Sequence, residues 1–551
     1  MKNIIIGGVA GGASCAARLR RLSEDCEIIV FEKGNYVSFA NCGLPYYISD
    51  TIKNESALLL QTPESLKARF NIDVRVLSEV TFVDTTLKEV TVHNLATSDV
   101  YRESYDNLVL SPGAKPIIPS IKGIEGDNIF TVRSLSDTIN IKSFINESKP
   151  KSAVVIGGGY IGVEIAENLI LSGIKTTIVE ISNHIIGSVD IAPYVHKYIK
   201  EEGVDLILNN AVKEIIHNAA GLTVLLNDGK LDCDMIIVAT GVTPDTEFLN
   251  ASAIKLTYRG FIRVNDFMET SVPCVYAAGD AVITKNFVTR EPGYIPLAGP
   301  ANKQGRIIAN NICGIKSRYD GTQGSSIIKI FDMTVASTGI NEQFASRFGY
   351  NYESVLLWTS SHAGYYPGAR DMLIKILFES STGKLLGAQA AGFGGVDKRM
   401  DILATAIRAG LTAFDLTELE LCYAPPFSSA KDPVNIVGYM MENILTGKVR
   451  QCTYHDIREL LNSVSAVDCV LLDVRTEFEF SCGHIPGAVN IPVDSLRENL
   501  AGLDKAKPLY VNCQSGLRSY IACRILSQKG FTCYNLSGGY RYYSLMQEEE
   551  C

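Results

Sequence analysis

One local pattern occurs twice in this chain, and no other feature restricts its fold as much. Asn3-Ile-Ile-Ile-Gly7-Gly8-Val9-Ala10-Gly11-Gly12 reads as a buried strand, a glycine-rich turn and the start of a helix. The next strand, Glu27-Ile-Ile-Val-Phe-Glu32, ends on an acid 20 residues after Gly12. That order is the dinucleotide fingerprint: a tight turn, a helix N-terminus for the pyrophosphate and a carboxylate for the adenosine ribose. The spacing departs at one place, because Val9 stands where the middle glycine of G-x-G-x-x-G would fall. Ala153-Val-Val-Ile-Gly157-Gly158-Gly159-Tyr160-Ile161-Gly162 matches the full spacing, and Thr176-Thr-Ile-Val-Glu180 supplies the acid-tipped strand. Two such units about 150 residues apart predict two parallel sheets and two dinucleotides. Glu180 has no arginine directly after it, which favours NADH over NADPH because a 2′-phosphate is repelled there; His184 is the one nearby group that softens this.

Length and composition bound the rest. A chain of 551 residues exceeds a single core and suggests three or four domains. The net charge of −9 argues against general nucleic-acid binding without excluding a local basic pocket. Fourteen cysteines at irregular spacings make no disulfide framework and fit a reducing compartment with one or two reactive thiols. No run approaches the roughly 18 apolar residues of a membrane helix, and the strand–glycine–helix order of the first residues argues against a signal peptide. A cytoplasmic protein is expected, with no membrane, nucleic-acid or metal partner.

Leu108-Val-Leu-Ser-Pro-Gly113 and Met235-Ile-Ile-Val-Ala-Thr-Gly241 read as crossovers between the two nucleotide domains. Val275-Tyr-Ala-Ala-Gly279-Asp280 is a strand ending in Gly-Asp, whose carboxylate suits a flavin ribityl hydroxyl or a helix cap. Ser38-Phe-Ala-Asn41-Cys42-Gly-Leu-Pro45-Tyr46-Tyr47 follows the first unit and reads as a turn feeding a helix, with one cysteine within reach of a bound flavin. A helix N-terminus is expected to lower the Cys42 pKa. A resolving cysteine five residues later is replaced by Tyr47, so Cys42 must cycle through a mixed disulfide or persulfide with an outside molecule. The first helix carries Arg18 and Arg21 on one face, with Ser14 a turn earlier; Lys67 and Arg69 come from a later segment. This cluster suits a ligand with several phosphates, or is a solvated basic face.

Together these residues resemble the flavin- and pyridine-nucleotide-dependent disulfide reductases over roughly residues 1–445. The Cys42 stretch, with His362-Ala-Gly-Tyr365-Tyr-Pro-Gly and Cys422-Tyr423-Ala-Pro-Pro-Phe-Ser-Ser-Ala-Lys431-Asp-Pro, resembles the coenzyme A-disulfide reductase branch, which includes NADH-dependent persulfide reductases. The resemblance implies an α/β protein with a Rossmann-like FAD domain (1–115 and 246–324), a Rossmann-like NAD(P)H domain (116–245) and an α+β dimerisation domain (325–445) in a homodimer. Gly7, Gly8, Gly11, Gly12, Glu32, Gly113, Gly157, Gly159, Gly162, Glu180, Gly241, Gly279 and Asp280 are expected to bind the two cofactors, FAD and NADH or NADPH. It further implies that Tyr365 and Tyr423 reach across the dimer to Cys42, where a phenol can serve a leaving thiolate. Ser14, Arg18, Arg21, Ser38, Asn41, Asn302 and Lys431 are implied to line a coenzyme A site that Lys67 extends. Asn302 replaces a histidine of some members, and Phe70 a lysine.

The pattern breaks around Leu445-Thr-Gly-Lys-Val-Arg-Gln451, so residues 446–456 are expected as a linker and 457–551 as a further domain. Strand Pro508-Leu-Tyr-Val-Asn512 runs into Cys513-Gln-Ser-Gly516-Leu-Arg518-Ser519 and a helix, a six-residue loop whose inward amides suit a thiolate or persulfide anion. With Asp473, Arg475 and His484-Ile-Pro-Gly-Ala this resembles a single-domain rhodanese, which implies an α/β fold, Cys513 as sulfur carrier and Arg518 closing the loop. The expected enzyme passes electrons from NADH through FAD to Cys42 and on to a persulfide, polysulfide or coenzyme A disulfide. The alternatives are an NADH oxidase cycling a cysteine sulfenic acid and a rhodanese tail that only docks a partner.

Overall fold

The apolar run at the start of the chain forms the strand Lys2–Ile6, buried on both faces and flanked in parallel by Glu27–Phe31 and Asn107–Leu110. Asp73–Arg75 and Val275–Ala277 complete a five-stranded parallel sheet. Ser152–Ile156 repeats the arrangement between Lys175–Val179 and Met235–Val238, with Asp205–Ile207 and Ile129–Thr131 at the edges. The crossovers continue as Ala114–Pro116 and Val242–Pro244, which pair antiparallel.

Both glycine turns have the same geometry. Gly7 and Gly157 adopt φ of +92° and +110°, where a side chain is strained. A Cβ on Gly12 would meet the Gly7 carbonyl oxygen at 1.9 Å, and one on Gly162 would meet the Gly157 oxygen at 2.0 Å. Helices Ala10–Leu22 and Tyr160–Leu171 can therefore start directly on the strand ends. Ala10–Leu22 also lies against helix Ala298–Ile312, so close that a Cβ on Gly305 would sit 2.2 Å from the Gly11 oxygen.

The structure, a computed structural model, describes residues 1–186, 190–219, 221–462 and 468–550. These gather into one unit of residues 1–186 and 199–324 and a second of residues 187–198 and 325–551. The second unit holds an antiparallel sheet, Ser326–Ile330, Met333–Gly339, Leu385–Gly392, Asp371–Glu379 and Tyr352–Ser360, with helices Val396–Ala409 and Pro433–Leu445. It also holds a parallel sheet, Gln451–Cys452, Cys533–Leu536, Leu509–Asn512, Val470–Asp473 and Val489–Asn490. Arg541 joins the two, bonding Asp371 at 2.6 Å and lying 3.8 Å from the Trp358 ring centroid. Residues 446–456, expected as a linker, are partly structural: Gln451–Cys452 pair with Asn535–Leu536 and satisfy that sheet's edge. Among the described residues no helix is long and apolar enough to cross a membrane.

Gly305→Val forces the two helices apart and should destabilise the protein by about 1–3 kcal/mol, the cost of overpacking a filled contact; a lower urea midpoint of unfolding at unchanged slope measures it.

Candidate active site

A cavity of about 390 Å³ opens beside the first glycine turn. Gly7, Gly11, Glu32, Gly113, Gly279 and Asp280 line it, as do Val9 and Asn41. Gly8 stands behind them, donating its amide to Glu32 Oε2 at 2.9 Å. Asp280 is bonded by Arg133 Nη2 at 3.0 Å, and the Gly279 amide donates to Gln304 Oε1 at 2.8 Å. Asn41 Oδ1 is buried with no hydrogen-bond partner. A long groove of glycine backbone ending at a carboxylate and an unsatisfied amide oxygen fits a flavin dinucleotide. Sequence reading missed Arg133, which no local pattern marks.

At the second turn the Gly158 amide donates to Glu180 Oε2 at 2.6 Å. A Cβ on Gly159 would meet nothing within 4 Å, so this backbone faces open space where a pyrophosphate can approach. Gly241 has φ of +112° and accepts from the Ile117 amide at 2.9 Å. These residues fit a second dinucleotide.

Cys42 lies in the short turn Asn41–Gly43 that feeds helix Leu44–Ile48, with Pro45 in the first turn as expected. It is exposed, and none of the described cysteines is paired. Tyr47, at the place of a resolving cysteine, has Lys142 Nζ 5.0 Å from its ring centroid. The expected lowering of the Cys42 pKa is overturned. The surrounding packing pushes the thiol up, the charges of Glu164 and Asp280 add to it, and Arg133 opposes them. The helix behind the sulfur is only five residues long, too short to outweigh two carboxylates. Glu164 is itself pushed up from 4.5 to about 7, by burial first and then by Glu167, against a hydrogen bond from Tyr46 at 3.4 Å.

The residues expected at a coenzyme A site come together in part. Ser14 Oγ donates to Asn302 Oδ1 at 2.7 Å, and Arg18 Nε to Asn310 Oδ1 at 3.1 Å, because their two helices touch at Gly11 and Gly305. Arg21 is exposed. Arg20, which sequence reading passed over, is buried and bonds the carbonyls of Phe70 and Asn71 at 2.7 and 3.0 Å. It thereby holds helix Pro63–Phe70, and with it Lys67, against the Arg18 helix. Ser38 adopts φ of +49° and donates its amide to the Gly8 oxygen at 2.9 Å.

In the second unit the hydroxyls of Tyr365 and Tyr423 lie 2.9 Å apart, and the rings are 75% and 48% exposed. Beneath them Arg399 is fully buried and bonds Ser428 Oγ and Asp432 Oδ2, each at 3.0 Å. The Ser428 carbonyl accepts from the Ala363 amide at 3.2 Å, fixing the Tyr365 loop to the Tyr423 segment. Lys431 is exposed at the end of that segment.

Cys513 is buried, and its sulfur accepts from the Gly516 amide at 3.1 Å and from Ser519 Oγ at 3.3 Å. The Asp473–Arg475 pair, fully buried, braces both sides of it. Asn512 Nδ2 donates to Asp473 Oδ2 at 3.0 Å, and Arg475 Nη1 to Gln514 Oε1 at 3.3 Å. Arg518 pairs with Glu479 through two bonds of 2.7 and 2.5 Å, and the guanidinium holds that carboxyl down to about 2.

A parallel glycine-turn sheet with one exposed cysteine at its cofactor groove defines a disulfide-reducing flavoprotein class, and the comparisons agree. Residues 1–305 match the pyridine nucleotide-disulphide oxidoreductase family, 325–433 its dimerisation domain and 454–545 the rhodanese-like domain. The chain belongs to the pyridine nucleotide-disulphide oxidoreductases.

Within them it belongs with the coenzyme A disulfide reductases. It is 37% identical over 446 residues to the coenzyme A disulfide reductase of Staphylococcus haemolyticus, covering 80% of this chain and 100% of that one. The structure of reduced Bacillus anthracis CoADR-RHD matches with a TM-score of 0.97 at 48% identity, over 100% of this chain and 98% of that one. An NAD-dependent persulfide reductase from A. fulgidus matches at 0.91 and 34%, over 98% and 100%. A water-forming NADH oxidase from Lactobacillus brevis is more distant, at 0.78 and 27% over 81% and 99%. The resemblance read from the Cys42 and Tyr423 stretches, the α/β fold class and the C-terminal rhodanese are borne out.

Two outcomes follow from this geometry. The folded Glu164 carboxyl holds its proton more tightly than the unfolded one, so stability is lost as pH rises from 4.5 to about 7. At about 1.4 kcal/mol per pH unit the loss is at most about 3.5 kcal/mol. Glu164→Gln should flatten that part of the unfolding curve and move Cys42 alkylation to lower pH. Arg475→Met leaves Asp473 buried and uncompensated and should destabilise the rhodanese domain by about 3–5 kcal/mol in thermal unfolding.

Proposed function

We propose that this chain uses NADH and a bound FAD to reduce coenzyme A persulfide, polysulfide or coenzyme A disulfide through Cys42, with Cys513 carrying sulfane sulfur. The observation that carries this reading is the exposed, unpaired Cys42 on a turn whose preceding residue, Asn41, lines the cofactor cavity. FAD, when bound, passes the electron pair of the nicotinamide to sulfur. The Cys42 thiolate attacks an external S–S bond and displaces one thiolate, leaving a mixed disulfide, or a cysteine persulfide when the substrate is a persulfide. Two electrons then break that bond and return the Cys42 thiolate. The departing half leaves as a thiol with one proton, or as hydrosulfide.

Glu180 favours NADH over NADPH. Ser14, Arg18, Arg21, Ser38, Asn41, Lys67, Asn302 and Lys431 hold the phosphates and pantetheine of coenzyme A. Tyr365 and Tyr423 work on Cys42 of the second subunit in a homodimer, donating to the leaving thiolate. Their exposure and mutual hydrogen bond support a role against an outside surface. The cytoplasm is the compartment, as the free cysteines suggest. The rhodanese domain supports persulfide over plain disulfide, since a disulfide reductase has no evident need of a sulfur carrier.

NADH oxidation by the holoenzyme, assayed with coenzyme A persulfide and coenzyme A disulfide, should favour the persulfide, and Cys42→Ser should abolish both. A strong preference for the disulfide, with Cys513→Ala leaving sulfur transfer unchanged, overturns the carrier role. Oxygen-dependent turnover that survives Cys42→Ser without a thiol substrate overturns the reductase reading. Tyr423→Phe should lower turnover about 10²-fold if its phenol is the acid.

A further inference from the structure

Two arginines brace the Cys513 loop, and both are committed to carboxylates. Arg475 Nη2 bonds Asp473 Oδ2 at 2.7 Å, and its Nε reaches both Asp473 oxygens at 3.0 Å. Arg518 Nη1 and Nη2 meet the two oxygens of Glu479 at 2.7 and 2.5 Å. Arg518 is also near enough to the Cys513 sulfur to feel its charge. Glu479 Oε2 accepts besides from the Thr476 amide and hydroxyl at 3.0 and 2.9 Å, in the capping box that starts helix Glu477–Ser481. The guanidinium on which an anion at the loop would draw is thus already matched by a carboxylate.

The residues flanking this ion pair are apolar and open. Leu517, between Gly516 and Arg518, is 66% exposed, and Phe478, next to Glu479, is 77% exposed. Ile521 is exposed one turn beyond Leu517. Cys513 itself is enclosed, so the group directly behind a sulfur atom being delivered must itself come up against the loop. In thiosulfate that group is a sulfonate, with negative charge spread over three oxygens. In a coenzyme A persulfide it is an uncharged methylene, and the phosphates lie at the far end of the pantetheine arm.

We propose that Glu479 sets the donor choice of the Cys513 loop: by matching Arg518 it turns away thiosulfate and leaves persulfides of thiols with an uncharged arm as the sulfur source. The proposal rests on the reading of Cys513 as sulfur carrier. The Cys513 thiolate attacks the outer sulfur of R–S–SH, forming Cys513–S–SH and breaking the donor's S–S bond. R–S⁻ leaves with the bonding pair and takes a proton from water. One sulfane sulfur moves, and no external oxidant or reductant is consumed. The same attack on thiosulfate would release sulfite, so negative charge would have to approach and leave past a carboxylate, which disfavours that donor.

Full-length Cys42→Ser holoenzyme, in which Cys42 cannot consume the donor, is offered coenzyme A persulfide or thiosulfate. Samples are quenched by alkylation at intervals, and the Cys513 peptide is followed by mass spectrometry for the gain of one sulfur atom. Loading from the persulfide should be at least about tenfold faster than from thiosulfate, and adding Glu479→Gln should raise the thiosulfate rate relative to the persulfide rate about tenfold. Glutamine preserves the capping box and removes only the charge. Glu479→Asp, which keeps the charge, should retain the original preference. Equal loading from both donors with Glu479 in place, or a donor ratio that Glu479→Gln leaves unchanged, overturns the proposal while Cys513 remains a carrier. Absence of loading from either donor overturns the carrier reading and the proposal with it.

Discussion

The carboxylate at the tip of the second strand bonds the amide of a glycine in the turn after the first, Glu32 to Gly8 and Glu180 to Gly158. The other oxygen of each acid is taken by the amide just beyond, of Gly34 and Ser182. Each acid therefore ties three chain segments at the point where a buried strand gives way to a helix. The tie leaves the first helical amides pointing outward, where an anion can meet them. It also fixes each carboxylate in one orientation, with both oxygens held by backbone amides.

Cofactor architecture was legible because it depends on contacts close in sequence. Strand, glycine turn, helix and acid lie within 30 or so residues, and the steric reason for each glycine is local. The rhodanese loop was legible for the same cause: Cys513, Gly516 and Ser519 are neighbours that meet at one sulfur. What escaped reading joins distant segments. Arg133 bonds Asp280 from the far side of the cavity, and Arg399 anchors Ser428 and Asp432 beneath two tyrosines. A residue such as Arg399, charged and wholly buried, gives no pattern that separates it from a surface arginine on an amphipathic helix. The direction of the Cys42 shift was misjudged because the helix was visible in the sequence while the approach of Glu164 was not.

Two contrasting environments for sulfur result. Cys513 is enclosed, and its sulfur accepts from one backbone amide and one hydroxyl. Cys42 is exposed, and the carboxylates beside it disfavour its charge. A thiol of that kind regains nucleophilic strength as it loses its proton, since basicity and nucleophilicity rise together. Positive charge is placed elsewhere, on the helix bearing Arg18 and Arg21.

Arg20 makes that separation possible. Its guanidinium gives hydrogen bonds to five backbone carbonyls, those of Phe70, Ser23, Glu24, Cys26 and Asn71, and so uses every donor it owns. Of the three arginines within four positions, Arg20 is thus a rivet, Arg18 reaches Asn310 on the neighbouring helix and Arg21 is exposed. A lysine at position 20 would keep the charge yet bring only three donors on a flexible stem. The helix that carries Lys67 would then drift relative to its neighbours, and the spacing between Lys67 and the arginine helix would change although neither Lys67 nor Arg18 is altered.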